Sequence, residues 1–227
     1  MKILHIETSS KNCSVAISDG EKLLCLCEEV SENYKQSESL HTFVEWALEG
    51  AEISLKEIEA VSLGKGPGSY TGLRIGAASA KGFCYGLKVP LIAVNSLETM
   101  IEPFLGQNYD VIIPLIDARR MEVYCAVFDG NSGEMISETE AKILDEQSFK
   151  ELEGKKILFV GDGAKKAEEI LQISGADFKA DVYPSAKYLI KKSVEKFNRK
   201  DFEDVAYFEP FYLKDFHGVK KKSPENS

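Results

Sequence analysis

The order of apolar and polar positions divides the chain into short strands and a few amphipathic helices. Ile3 to Ile6 is an apolar run, Glu7 to Asn12 is a polar turn, and Cys13 to Ser18 follows with Val15 and Ile17 alternating, so a strand, a turn and a strand are predicted. Asp19-Gly20 is a type I′ hairpin signal leading into a third strand, Leu23 to Val30. Beyond the polar span Ser31 to Ser39, Leu40, Phe43, Val44, Ala47 and Leu48 recur at helical spacing, which predicts an amphipathic helix ending at Gly50. Trp46 lies off that stripe. Glu57 to Leu63 is predicted as a strand running into a glycine turn, and Pro90 introduces another, Leu91 to Val94. The first half therefore reads β-β-β-α-β-α-β.

Between those last two strands lies the stretch around which the chain is organised, Ser62 to Leu87. Gly64, Gly66 and Gly68 around Pro67 supply an unusual backbone, and Ser69 or Thr71 can cap the helix that follows. On that helix Arg74, Lys81, Tyr85 and Lys88 form one narrow polar stripe. Nearly all the rest is small or apolar: Gly72, Ile75, Gly76, Ala77, Ser79, Ala80, Gly82 and Phe83. An apolar arc this wide predicts contacts on two sides, because a surface helix hides only one stripe against its own core.

The second half repeats the first. Ile116 to Gly130 lies without a gap on Ile6 to Gly20, so that strand, acidic turn, strand and Asp-Gly coincide at a constant offset. A strand near Met135 to Ile143, a short helix near Ser148 and a strand from Lys156 to Val160 follow. Gly161-Asp162-Gly163 opens a helix to Ile173, Ser185 is placed to cap a last helix bearing Leu189, Ile190, Val194 and Phe197, and Lys220-Lys221-Lys222 sits in a tail.

Composition narrows the chemistry. The chain has 227 residues, 44% hydrophobic and 29% charged, with a net charge of −9, which argues against gripping nucleic acid unaided. Glu7 comes too early for a signal peptide, and no apolar run reaches membrane-spanning length, so a cytoplasmic protein with no membrane association is expected. Cys13, Cys25, Cys27, Cys84 and Cys125 form no Cys-x-x-Cys pair and are expected as buried, reduced thiols. His5, His41 and His217 are scattered, so no metal site is expected, and Ser69 does not sit in a Gly-x-Ser-x-Gly elbow.

Duplicated β-β-β-α halves with an acidic turn in each resemble the actin-like ATPases, where two such turns clasp nucleotide phosphates across a cleft. The candidate contacts for a nucleotide or phosphate are then Glu7, Thr8, Asp117, Arg119, Arg120, Gly161 and Gly163, although neither turn carries the glycines such loops use. A narrower resemblance rests on Ile6-Glu7-Thr8-Ser9, Ser37-Glu38 with Leu40, the run Gly64 to Gly76, Ile116-Asp117-Ala118-Arg119 with Glu122-Val123-Tyr124, and Glu209-Pro210 with Tyr212-Leu213. Together these resemble the TsaB family, also called YeaZ, over Met1 to about Leu213.

That resemblance implies an actin-like α/β fold with an N-terminal domain over 1–108, a second over 109–213 and a flexible tail over 214–227. It implies a non-catalytic partner of the paralogue TsaD in making threonylcarbamoyladenosine at adenosine 37 of tRNA, with the ATPase TsaE, and with TsaC supplying threonylcarbamoyl adenylate. It places the TsaD contact, or a homodimer contact when TsaD is absent, on two helices: Leu40, Phe43, Trp46, Gly72, Ile75, Gly76, Ser79, Ala80 and Phe83. ATP or ADP is expected only in the complex with TsaD and TsaE, and tRNA is met through that complex. TsaD carries a His-x-x-x-His metal pair at the positions matched here by Ser96 and Met100. Two other readings stay open: a stand-alone ATPase or acyltransferase using the cleft, and a homodimeric regulator.

Overall fold

The computed structural model describes residues 1–31 and 36–213, without the side chains of residues 36–38. The expected tail with Lys220 to Lys222, and the side chains of Ser37 and Glu38, fall outside the described residues. The first sheet is built from β1 (Lys2–Glu7), β2 (Asn12–Asp19), β3 (Lys22–Val30), β4 (Ala60–Gly64) and β5 (Leu91–Val94), in the order β3-β2-β1-β4-β5. Helices α1 (Gln36–Gly50) and α2 (Tyr70–Leu87) lie on one face of it. After α3 (Ser96–Ile101), a second sheet comprises β6 (Val111–Asp117), β7 (Glu122–Cys125), β8 (Phe128–Asp129), β9 (Glu140–Ile143), β10 (Ile157–Val160) and β11 (Ala176–Lys179). Helix α4 (Ala164–Ile170) joins its last two strands, and α5 (Ile190–Arg199) follows a 3₁₀ turn at Ala186–Leu189.

The duplication expected from the sequence is present in the topology. The second sheet runs β9-β7-β6-β10-β11, with the central strand of each sheet antiparallel to its hairpin partner and parallel to the strand beyond. Thus β6 corresponds to β1, β7 to β2, β9 to β3, β10 to β4 and β11 to β5. The fold is the duplicated actin-like α/β layout. One strand is broken in the copy: β2 is continuous, whereas its counterpart divides into β7 and β8, where Ser137 Oγ accepts the Val127 N–H at 2.9 Å.

Period-two alternation gives β1, β2, β4 and β5 two buried faces, while the edge strand β3 is at most half-buried. Leu4, Ile6, Val15, Ile17, Val61 and Leu63 pack against Leu40, Phe43, Val44 and Ala47 of α1 and Ala77, Ala80 and Cys84 of α2. The opposite face, Ile3, Ala16, Ala60, Ile92 and Val94, is covered by Ala186, Leu189 and Val194 from the end of the chain. The second sheet has α4 on one face and α3, with Leu97, Met100 and Ile101, on the other. Each sheet is therefore completed by a segment from the opposite half of the sequence. In packing, α3 lies with the second sheet and residues 186–197 with the first.

Local corrections have local causes. In the β2–β3 hairpin Asp19 pairs with Lys22, and of the loop residues Gly20 and Glu21 only Gly20 has positive φ, at 57°, so the turn is not the doubly left-handed type I′. Ser69 caps α2 by accepting the Gly72 N–H at 3.3 Å. Ser185 caps nothing and instead donates to Glu28 Oε2 at 2.5 Å. The strand expected from Met135 shrinks to β9, with a single bridge between Met135 and Phe128. Helix α3 and strand β11 escape a periodicity reading because six and four residues are too few to show a period.

Candidate functional site at the acidic turns and the outer helices

The turn after β1 is closed. Glu7, Thr8 and Ser9 have no exposed surface. Glu7 Oε1 accepts the Ser9 N–H at 2.8 Å, and Oε2 accepts the Ser96 hydroxyl at 2.9 Å. Burial holds the Glu7 carboxyl above the ordinary carboxylate range, opposed by those bonds from Ser9 and Ser96. Four glycines pack against this turn: a methyl group at Gly64 would overlap the Glu7 carboxylate, one at Gly68 the Ser9 carbonyl, one at Gly72 the Thr8 carbonyl, and one at Gly76 the Thr8 hydroxyl. Thr8 Oγ1 in turn donates to the Gly72 carbonyl at 2.8 Å. The glycine run thus lets α2 and its approach loop dock on the turn. Glu7 and Thr8, expected to reach a nucleotide, are sealed beneath it.

Ser96 and Met100 project from one side of α3. Ser96 Oγ bonds Glu7 and accepts the Gly66 N–H at 3.1 Å, and Met100 Cε lies where a methyl group on Gly161 would fall. A hydroxyl already engaged twice and a thioether do not suit the metal that a histidine pair would hold. Among the described residues no group of three or more His, Cys, Asp or Glu is placed to bind a metal ion. Burial pushes the thiols of Cys13, Cys84 and Cys125 up to about 12, so they stay protonated and unreactive, whereas Cys25 and Cys27, expected as buried, are only partly covered because they lie on the edge strand β3.

The equivalent turn after β6 is open. Asp117, Arg119 and Arg120 are exposed. Asp117 Oδ1 accepts the Arg119 N–H at 2.6 Å and the Lys166 ammonium at 2.7 Å, while its own N–H donates to Asp162 Oδ1 at 2.8 Å. Burial raises the Asp162 carboxyl above its usual range, opposed by the bond from Asp117. Arg119 and Arg120 both have positive φ, 71° and 54°, a conformation that costs a non-glycine residue roughly 1–2 kcal/mol. Gly161 and Gly163, the other expected phosphate contacts, are buried against Leu115, where they allow α4 to approach β6. Of the expected contacts, the structure leaves Asp117, Arg119 and Arg120 at the surface.

On the helix layer, Leu40, Phe43, Gly72, Gly76 and Ala80 are buried in the chain's own core, so they cannot carry the partner contact assigned to them. Trp46, 55% exposed, and the half-buried Ile75, Ser79 and Phe83 do reach the surface. The assigned contact set left out Ala78, Gly82, Tyr85 and Gly86, although Gly82 lies in the wide apolar arc read from the sequence and Tyr85 on its polar stripe. These are exposed, and Gly82 and Gly86 have nothing within 4 Å of where a Cβ would stand. Helix α2 carries two ridges of small residues, Gly72, Gly76 and Ala80 facing inward and Ala78, Gly82 and Gly86 facing outward. His41 of α1 ties the outer surfaces together, lying 3.3 Å from Ser79 Oγ and 5.8 Å from the Phe83 ring.

Comparison with known proteins agrees with this construction. The family described as "TsaD: tRNA N6-adenosine threonylcarbamoyltransferase" matches residues 28–217. The tRNA threonylcarbamoyladenosine biosynthesis protein TsaB of Escherichia coli is 31% identical over 97% of this chain and 98% of its own length. The TsaB of Haemophilus influenzae is 26% identical over 94% of each. The solved structure of YeaZ from Pseudomonas aeruginosa superposes with a TM-score of 0.81 at 26% identity, covering 93% of this chain and 99% of that one. With its match to TsaB over nearly the whole of both chains and the same fold as YeaZ, the chain belongs to the TsaB family of tRNA threonylcarbamoyladenosine biosynthesis proteins.

Proposed function

We propose that this chain is the non-catalytic activating partner of TsaD in forming threonylcarbamoyladenosine at adenosine 37 of tRNA, acting with TsaE and with adenylate supplied by TsaC. One observation carries the reading: at the positions of TsaD's histidine pair, Ser96 and Met100 are spent on internal contacts with Glu7 and Gly161. The outer ridge of α2 then supplies the docking surface. Small residues at Ala78, Gly82 and Gly86 let a partner helix approach closely, and Trp46, Ile75, Phe83 and Tyr85 flank them as anchors. A helix pair from each partner meeting at standard size, ~800 Å² a side, makes a stable complex. The same face pairs with a second copy when TsaD is absent. Arg119 and Arg120 serve a phosphate group, of ATP, ADP or tRNA, at the site shared with TsaD and TsaE.

The test is reconstitution. TsaC, TsaD, TsaE and unmodified tRNA are incubated with and without this chain, and the modified nucleoside is quantified. Product is expected only with the chain present, and none from the chain, TsaC and TsaE without TsaD. Product formed without TsaD would return catalysis to this chain; full product without the chain would remove its role. For the interface, Gly82→Arg is expected to weaken TsaD binding at least 100-fold by calorimetry while melting as a folded monomer. Ala80→Arg is expected to unfold the chain, since Ala80 has no exposed surface.

A further inference from the structure

We propose that Lys166 is a positioning residue for the Arg119–Arg120 turn, a cation supplied by the chain itself that holds both arginines where a phosphate-bearing ligand meets them. The inference rests on the phosphate role proposed above for those arginines. Lys166 Nζ lies 2.7 Å from Asp117 Oδ1, 2.9 Å from the Arg120 carbonyl and 2.9 Å from the Glu122 carbonyl. An ammonium group has three N–H donors, and all three are used on this one turn. The side chain is 16% exposed, so the cation is held rather than solvated.

The turn needs such a support. Two consecutive non-glycine residues in the left-handed region persist only where the surroundings determine them. Among the bonds that hold it, Glu122 N–H donates to the Arg119 carbonyl at 3.3 Å, Ala118 N–H donates to the Glu122 carbonyl at 3.1 Å, and Lys166 reaches three acceptors at once. The Asp117 oxygen that takes the ammonium also takes the Arg119 N–H, so removing the cation loosens the backbone on both sides of Arg119. Buried Gly161 and Gly163 bring the start of α4 against Leu115, which carries Lys166 beneath the turn. Arg119 and Arg120 are both exposed, and Lys166 occupies the Arg120 and Glu122 carbonyls beside them, so in this proposal their guanidinium groups are offered to phosphate oxygens.

The experiment uses the reconstituted modification reaction with full-length chain carrying Lys166→Ala, the double change Arg119→Ala with Arg120→Ala, or all three. ATP and tRNA are titrated separately. Lys166→Ala is expected to raise KM about tenfold for whichever of the two supplies the phosphate, with kcat and TsaD affinity near wild type. The triple variant is expected to be no worse than the arginine variant, and n-propylammonium at tens of millimolar is expected to restore Lys166→Ala but not the arginine variant. An arginine variant that is impaired while Lys166→Ala has wild-type KM, or losses that multiply in the triple variant, overturns the positioning role and leaves the phosphate reading standing. A fall in kcat or TsaD affinity without a rise in either KM likewise overturns it. An arginine variant indistinguishable from wild type overturns the phosphate reading, and this inference with it.

Discussion

His5 and Glu7 stand two residues apart on β1, both without exposed surface, and they pull stability in opposite directions as pH changes. Burial lowers the His5 pKa to about 3; its Nε2 pairs with Ser18 Oγ at 2.9 Å, and its Nδ1 has no hydrogen-bond partner among the described residues. Between pH 6.5 and 3 the unfolded chain holds a proton on this ring and the native chain does not. His5 is therefore without cost at pH 7 and costs stability as pH falls below about 6.5, by roughly 2 kcal/mol at pH 5. Urea denaturation at pH 7 and 5 is expected to show that loss, and His5→Gln to flatten it. Glu7 has the opposite sign: its native pKa is raised, so the stability it lends is complete below its unfolded value and is lost as pH rises through the native one. Glu7→Gln is expected to be at least as stable as wild type at pH 8; a loss above about 1 kcal/mol would show that Ser9 and Ser96 hold the charged form more firmly than burial opposes it. The sequence placed Glu7 at the start of a polar turn, and its bond from the Ser9 N–H lies within that turn. Its burial was not legible, since the cover comes from Gly64 to Gly76, far along the chain.

At the scale of the element, α2 shows where pattern reading succeeds and where it stops. Its span and the width of its apolar arc were legible, and its cap was narrowed to Ser69 or Thr71, of which Ser69 serves. Which ridge faces inward was not, because Gly72-Gly76-Ala80 and Ala78-Gly82-Gly86 are both small residues at four-residue spacing, and only docking on Thr8 and Leu63 distinguishes them. The two ridges predict opposite responses to the same substitution. Gly82→Ala adds a methyl group to open space in a helix interior and is expected to stabilise the chain by about 0.5–1 kcal/mol in chemical denaturation. Gly72→Ala places the same group on the Thr8 carbonyl and is expected to cost about 2–3 kcal/mol. Similar values for the two would mean that the helix is turned differently from the orientation described.

At the scale of the whole molecule, the repeat seen in the sequence corresponds to two sheets of the same strand order, and that much needed only local pattern. The exchange of covers between them did not show, because α3 packs forward on β6 rather than back on the sheet it follows, α5 packs on strands remote from it in sequence, and nothing local marks either destination. The last of these contacts is polar as well as apolar. Asn12 Nδ2 donates to the Pro184 carbonyl at 3.0 Å, and Ser62 Oγ meets Ser193 Oγ at 2.6 Å, beside the Ser185 bond to Glu28. A chain ending at Tyr183 is expected to lose its cooperative melting transition and to aggregate, since Ile3, Ala16, Ala60, Ile92 and Val94 are then bare. The same arrangement sets an order of events during synthesis. The first sheet is translated through β5 well before Ala186, Leu189 and Val194, the residues that close its second face, and at about 5–20 residues per second the nascent chain spends seconds with that face uncovered. Rare codons or slow release between β5 and α5 should lengthen that exposure, making this chain a client for whatever holds unfinished proteins apart in the cell.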